Sequence, residues 1–117
     1  MNHFTILHNS RCSQSRQALK FLQDHWASIE IIDYQKWYLS HSTLKHLQKL
    51  LWGIAIIDFM RKWEKEFTQL WLSKNSTDDE LLKAMVLYPN LLQRPIIIKN
   101  NTFAVIARDE NALKSII

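Results

Sequence analysis

The sequence predicts an α/β fold: one mixed four-stranded sheet with helices on its faces and a helical insertion between strands 2 and 3. Three observations carry this expectation. A strand–helix–strand unit occupies residues 3–34, and such a unit makes its strands parallel. Near the other end, "RPIIIKNNTFAVIA" places two apolar runs around Asn100-Asn101, the pattern of a short hairpin. The residues between, about 40–88, carry helical rather than alternating periodicity. A parallel pair and an antiparallel pair share one sheet only if that sheet is mixed.

Each element has its own signal. "HFTILH" alternates and is rich in β-formers, so it reads as the first strand. After "NSRCSQSR", the residues Ala18, Leu19, Leu22 and Trp26 recur at helical spacing. "SIEIIDY", residues 28–34, reads as the second strand. Over 43–52, Leu44, Leu47, Leu50 and Leu51 form one apolar stripe, a helix. "DFMRKWEKEFTQL", 58–70, mixes charges with aromatics and is expected to be another. "STDDELLKAMVLYP" opens with a capping box, Thr77 to Glu80, and stops before Pro89. The hairpin follows, and "RDENALKSII" closes as a helix with Asp109 at its N-cap and Ala112, Leu113 and Ile116 able to pack. This order matches the thioredoxin-like layout, read as one domain over residues 1–117 with the helical insert at about 40–88.

Composition narrows the class. The 117 residues include one cysteine, which excludes a disulfide scaffold and fits a reducing compartment. No signal-peptide pattern opens the chain, and "LLWGIAIIDFM" is shorter than the roughly 20 residues a membrane span needs. The expectation is a soluble, cytoplasmic protein without membrane contact. The net charge of +4 comes from scattered lysines and arginines, with no dense basic run for nucleic acid. That balance favours small anions and acidic partners. Five tryptophans are expected mainly to pack in core and groove. With one glycine, Gly53, turns depend on Asn, Ser and Asp.

The lone Cys12 lies in "HNSRCSQSR", between a predicted strand and a predicted helix. In a parallel α/β unit that turn is at the carboxyl edge of the sheet, where ligands bind. The first helical N–H groups have no intrahelical partners and hold anions, a thiolate among them. A helix end alone lowers a thiol pKa by roughly one unit, so further help is needed. His8, Arg11 and Arg16 can supply charge or N–H groups, and the Ser13 and Ser15 hydroxyls can donate to the sulfur. Spacing tests the rival chemistries. A Cys-x-x-Cys pair is absent because position 15 is serine. A phosphatase loop would need arginine at 18, which is alanine. One cysteine and five histidines lack the pairing of a zinc site, so no metal is expected. A papain-like histidine base stays open, and so does an inert packed thiol.

"HNSRCSQSRQAL" resembles the active-site segment of the glutaredoxin-coupled arsenate reductase (ArsC) family, whose usual form is HNPRCSKSRxAL. "LLQRPIIIKNNTFAVIAR" is similar to its second signature, LLQRPIV, followed by a hairpin and an arginine; "FMRKWEKEF" resembles its arginine-lysine segment, and "TDDELLKAMVLYPNLLQRP" has the helix and spacing of the family. The resemblance runs in order over nearly the whole chain. It implies a thioredoxin-like fold and an oxidoreductase whose cysteine attacks arsenate. Glutathione, as co-substrate rather than bound cofactor, then attacks the adduct, and glutaredoxin resolves the mixed disulfide. Carried over, Cys12 matches the nucleophile. Arg61, Arg94 and Arg108 match the oxyanion-binding arginines, and His8 and Ser15 match groups that tune the thiolate. Pro95 is expected to be a structural cis-proline. The same resemblance extends to non-enzymatic or redox-sensing ArsC- and Spx-like proteins that act by binding other proteins, and this is the alternative.

Overall fold

The structure, a computed structural model, describes residues 2–25, 28–34 and 39–116. In chain order it contains β1 (Phe4–His8), α1 (Ser13–His25), β2 (Ile29–Asp33), α2 (His41–Leu50), a 3-10 turn at Ile56–Phe59, α3 (Lys65–Gln69), α4 (Asp78–Leu87), a 3-10 turn at Pro89–Leu91, β3 (Ile96–Lys99), β4 (Phe103–Ile106) and α5 (Glu110–Ile116). The strand order is β2-β1-β3-β4. β1 and β2 are parallel, and β3 is antiparallel to both β1 and β4. This is the mixed α/β sheet, thioredoxin-like in layout, with the insert between β2 and β3.

The period-2 alternation of the strands divides two cores. Phe4 and Ile6 of β1 and Ile97 of β3 face Ala18 and Leu22 of α1 and Ile116 of α5. Leu7, Ile96 and Ala104 face the opposite way, into a larger core built by the insert. There the stripe Leu44, Leu47, Leu50 and Leu51 is buried with Leu81, Leu82 and Met85 of α4. Because the central strands have helices on both sides, "IIIK" is an uninterrupted apolar run rather than an alternating one.

The capping signals work as the residues indicate. Thr77 accepts from the Glu80 N–H while the Glu80 side chain takes the Thr77 N–H, a full capping box on α4. The Asp109 side chain accepts the Ala112 N–H at 2.8 Å at the start of α5. Asn100 and Asn101, with φ of 53° and 56°, supply the positive dihedrals of the β3–β4 turn that glycine would otherwise supply.

Two expectations need correction. Residues 58–70 do not form one helix. Met60 is extended and bridges Leu92, and the Arg61 N–H donates to the Leu91 carbonyl at 2.7 Å. This long-range pairing interrupts the helix, leaving a 3-10 turn before it and the short α3 after it. The tryptophans among the described residues are also not core residues: Trp52, Trp63 and Trp71 are 79, 59 and 91% exposed. Trp52 and Trp71 stand just past the ends of α2 and α3 with positive φ, and that backbone turns the side chain away from the helix packing. Trp26, from the first-helix pattern, and Trp37 lie outside the described residues.

Candidate functional site

The topology brings four separate segments to one sheet edge. β1 ends at His8 beside Asp33, so Tyr34 leaves β2 next to the turn that carries Cys12. β3 runs antiparallel with Leu7 opposite Ile96, which puts Arg94-Pro95 beside residues just past the end of β1. β4 is antiparallel in turn, with Ile106 opposite Ile96, so Arg108 leaves at the same edge. The Arg94–Pro95 peptide is cis, and the Pro95 carbonyl accepts the Ala107 N–H at 2.8 Å. Arg61 arrives from the insert through the Met60–Leu92 bridge.

Cys12 is the N-cap of α1. Its N–H donates to the Asn9 carbonyl at 3.0 Å, and its carbonyl accepts the Arg16 N–H at 3.0 Å. The sulfur, half-buried, is thereby set at the helix N-terminus. Burial pushes the thiol up. The Ser15 backbone N–H, the Arg94 guanidinium and the Gln14 backbone N–H, all donating to the sulfur, outweigh it and leave the pKa lowered.

The Ser15 hydroxyl is not a sulfur ligand. It accepts the Asn9 N–H at 3.0 Å and lies 2.7 Å from His8 Nδ1. The hydroxyl has one hydrogen and two acceptor lone pairs, so it serves the Asn9 N–H and His8 Nδ1 together. Burial lowers the His8 pKa, consistent with a neutral ring. His8 and Ser15 thus act as a buried brace that holds the Cys12 turn against β1. The effect of Ser15 on the thiolate comes through its backbone N–H. Arg16 serves the same turn by donating to the Ser10 carbonyl at 2.8 Å.

The arginines form a chain of neighbours. Arg94 reaches the sulfur, and its Nη1 lies 3.5 Å from the hydroxyl of the buried Tyr34. Burial acts against its charge, but Tyr34 and Cys12 more than compensate and raise its pKa. Burial also raises the Tyr34 phenol, keeping it neutral. Arg61 is pulled down first by burial and then by the positive charges of Arg94 and Arg108, with Glu64 opposing them. Its Nε lies 3.3 Å from Glu64 Oε1, paired in charge but not aligned as a hydrogen bond. The buried Nε atoms of Arg61 and Arg94 therefore hydrogen-bond to no acceptor among the described residues. Arg108 donates to Gln93 Oε1 at 2.9 Å, and Gln93 Nε2 donates to the Met60 carbonyl at 3.1 Å. The Arg61 and Arg108 guanidiniums both lie over the Trp63 ring, 5.1 Å from its centroid.

So the structure brings Cys12, Arg94, Arg61 and Arg108 into one cluster, and of the three arginines Arg94 is the one that acts on the thiol. Sequence reasoning passed over Tyr34, Gln93 and Trp63. Gln93 and Trp63 sit beside singled-out arginines, inside "LLQRP" and "FMRKWEKEF", and Tyr34 closes the second strand; adjacency was the available signal. Among the described residues no group of three metal-ligand side chains gathers, and no helix is long and apolar enough to cross a membrane.

Comparison with known proteins agrees with this architecture. YfgD, an uncharacterized protein of Escherichia coli K12, is 35% identical over 96 residues, 81% of each chain. An arsenate reductase of Neisseria meningitidis is 34% identical over 106 residues, 90% of this chain and 91% of the relative. The solved arsenate reductase of Vibrio cholerae superposes with a TM-score of 0.85 at 30% identity, covering 97% of this chain and 94% of its own. The model of the ArsC family matches residues 7–116, a span that holds the cysteine turn, the insert and every arginine of the cluster, and the chain belongs to that family.

Proposed function

We propose that the protein is a thiol-dependent arsenate reductase that uses glutathione as co-substrate and glutaredoxin as the resolving partner. The observation that carries this reading is Cys12 at the helix N-terminus beside Arg94, its thiol pKa lowered, with Arg61 and Arg108 in the same cluster. Guanidinium offers planar, paired donors matched to tetrahedral oxyanions. The relatives named arsenate reductase support the substrate class; glutathione and glutaredoxin come from the family resemblance.

In the first step the Cys12 thiolate attacks arsenic. A sulfur–arsenic bond forms and one arsenate oxygen leaves as water after taking up protons, with arsenic still pentavalent. Arg94 stabilises the thiolate beforehand, and Arg61 and Arg108 hold the remaining oxyanion charge. Glutathione thiolate then attacks the Cys12 sulfur. The sulfur–arsenic bond breaks with its electron pair going to arsenic, which leaves as trivalent arsenite, and a Cys12–glutathione disulfide remains. Glutaredoxin thiolate attacks the glutathione sulfur and releases Cys12 as thiolate. The sum is arsenate and two thiols to arsenite, a disulfide and water. His8 and Ser15 brace the turn, and Pro95 shapes the chain next to it.

The test is NADPH oxidation coupled through glutathione reductase, glutathione and glutaredoxin, with arsenate, for wild type and Cys12→Ser. The expected outcome is arsenate-dependent turnover that vanishes in the variant. Folded protein with no turnover would overturn the reading. It would favour the second one, a non-enzymatic relative that docks a protein through its insert, to which the exposed Trp52 and Trp71 lend support.

A further inference from the structure

We infer that Trp63 is a positioning residue for the oxyanion site, an aromatic platform that holds Arg61 and Arg108 in place for the anion. The inference rests on the reductase reading for its ligand, but its geometry stands alone. Three arginines gathered at one sheet edge repel one another, and Arg61 feels both Arg94 and Arg108. Without a counterweight, such side chains splay into water. Glu64 already takes the Arg61 Nε side, and a further carboxylate would occupy the N–H groups left to face the substrate. An indole face attracts cations through its quadrupole while leaving the in-plane N–H groups free.

Trp63 is placed for this. Both guanidinium carbons lie over its ring at 5.1 Å from the centroid, within the roughly 6 Å over which cation–π attraction acts. The ring is 59% exposed and is not counted among the core clusters, so packing does not explain its presence. Each arginine keeps a second anchor that fixes its direction: Glu64 beside Arg61 Nε, and Gln93 Oε1 accepting from Arg108. Gln93 and Arg61 are in turn tied to neighbouring backbone, Gln93 Nε2 to the Met60 carbonyl and the Arg61 N–H to Leu91. The platform, the two cations and their anchors thus form one frame at the border of insert and sheet.

The test compares wild type, Trp63→Leu and Trp63→Phe in calorimetric titration with inorganic arsenate and in side-chain NMR. Trp63→Leu should weaken arsenate binding roughly three- to tenfold, from the loss of two cation–π contacts, with the loss falling on KM more than on kcat. Trp63→Phe, which keeps a ring, should restore most of the affinity. In the wild type, the Arg61 and Arg108 side-chain protons should be shifted upfield by the ring current, and this shift should disappear in Trp63→Leu. Equal arsenate affinity in wild type and Trp63→Leu would overturn the inference, as would guanidinium signals that are unshifted in the wild type. A wild type that binds no arsenate would instead overturn the reductase reading; the NMR shift would then decide the platform by itself, sustaining it if present and overturning it if absent.

Discussion

At the scale of single residues, the chemistry depends on where hydrogen atoms point. Cys12 is made acidic by donors that converge on its sulfur: two helix N–H groups and the Arg94 guanidinium. Arg94→Leu removes one donor and its charge. The midpoint of iodoacetamide alkylation against pH should therefore move upward, toward that of an ordinary free cysteine. The same shift bears on stability. A thiol more acidic folded than unfolded adds stability above its unfolded pKa, and this is lost as pH falls through the folded value. Ser15 illustrates the opposite kind of residue, a fully buried hydroxyl that serves the Asn9 N–H and His8. Ser15→Ala leaves both groups buried without that partner, and chemical denaturation should show a loss of about 1–3 kcal/mol.

At the scale of elements, helix ends carry unusual residues. α2 and α3 both close with paired bonds of the Schellman type. The Gly53 N–H reaches Gln48 and the Trp52 N–H reaches Lys49; the Leu72 N–H reaches Phe67 and the Trp71 N–H reaches Thr68. The left-handed position in each is tryptophan, with φ of 65° at Trp52 and 57° at Trp71. Glycine is the usual residue there because a Cβ costs roughly 1–2 kcal/mol in that conformation. Trp71 is 91% exposed and recovers little of this cost by burial. Trp71→Gly should therefore stabilise the fold by about 0.5–1 kcal/mol, after allowing for the backbone entropy of glycine, as a rise in denaturation midpoint. A contrary fall would mean the indole has contacts that stabilise the folded chain.

At the scale of the whole molecule, the insert and the sheet are mechanically one body. The segment 91–93 passes from the last 3-10 turn toward β3 and is gripped from the insert side. Leu92 bridges Met60, the Leu91 carbonyl accepts from Arg61, and the Gln93 N–H donates to Phe59. Leu92 itself is fully buried in the larger core. Leu92→Ala should cost about 2–5 kcal/mol. It should also weaken arsenate binding more than a cavity variant far from this seam, such as Leu44→Ala, because Arg61 is positioned through it. Equal effects on binding by the two variants would argue that insert and arginines are independent.

The local signals of the chain determined much of this protein by themselves. Alternation set β1, the leucine stripe set α2, Thr77 and Glu80 set the start of α4, and the Asn100-Asn101 turn set the final hairpin, since each depends on neighbours within a few residues. Cys12 and Arg94 were visible for the same reason, lying in compact motifs at a strand–helix turn and beside Pro95. Only the tertiary structure decided the rest. The Met60–Leu92 pairing broke a helix that residues 58–70 would otherwise suggest, because a long-range bridge overrode a local periodicity. Trp52 and Trp71 went to the surface because backbone position at the helix ends, not hydrophobicity, directed them. Ser15 turned its hydroxyl to His8 rather than to the sulfur, and Trp63 met two arginines far apart in sequence. The Met60–Leu92 bridge and the Arg108–Trp63 contact join distant segments, and such contacts exist only once the sheet has brought its edges together.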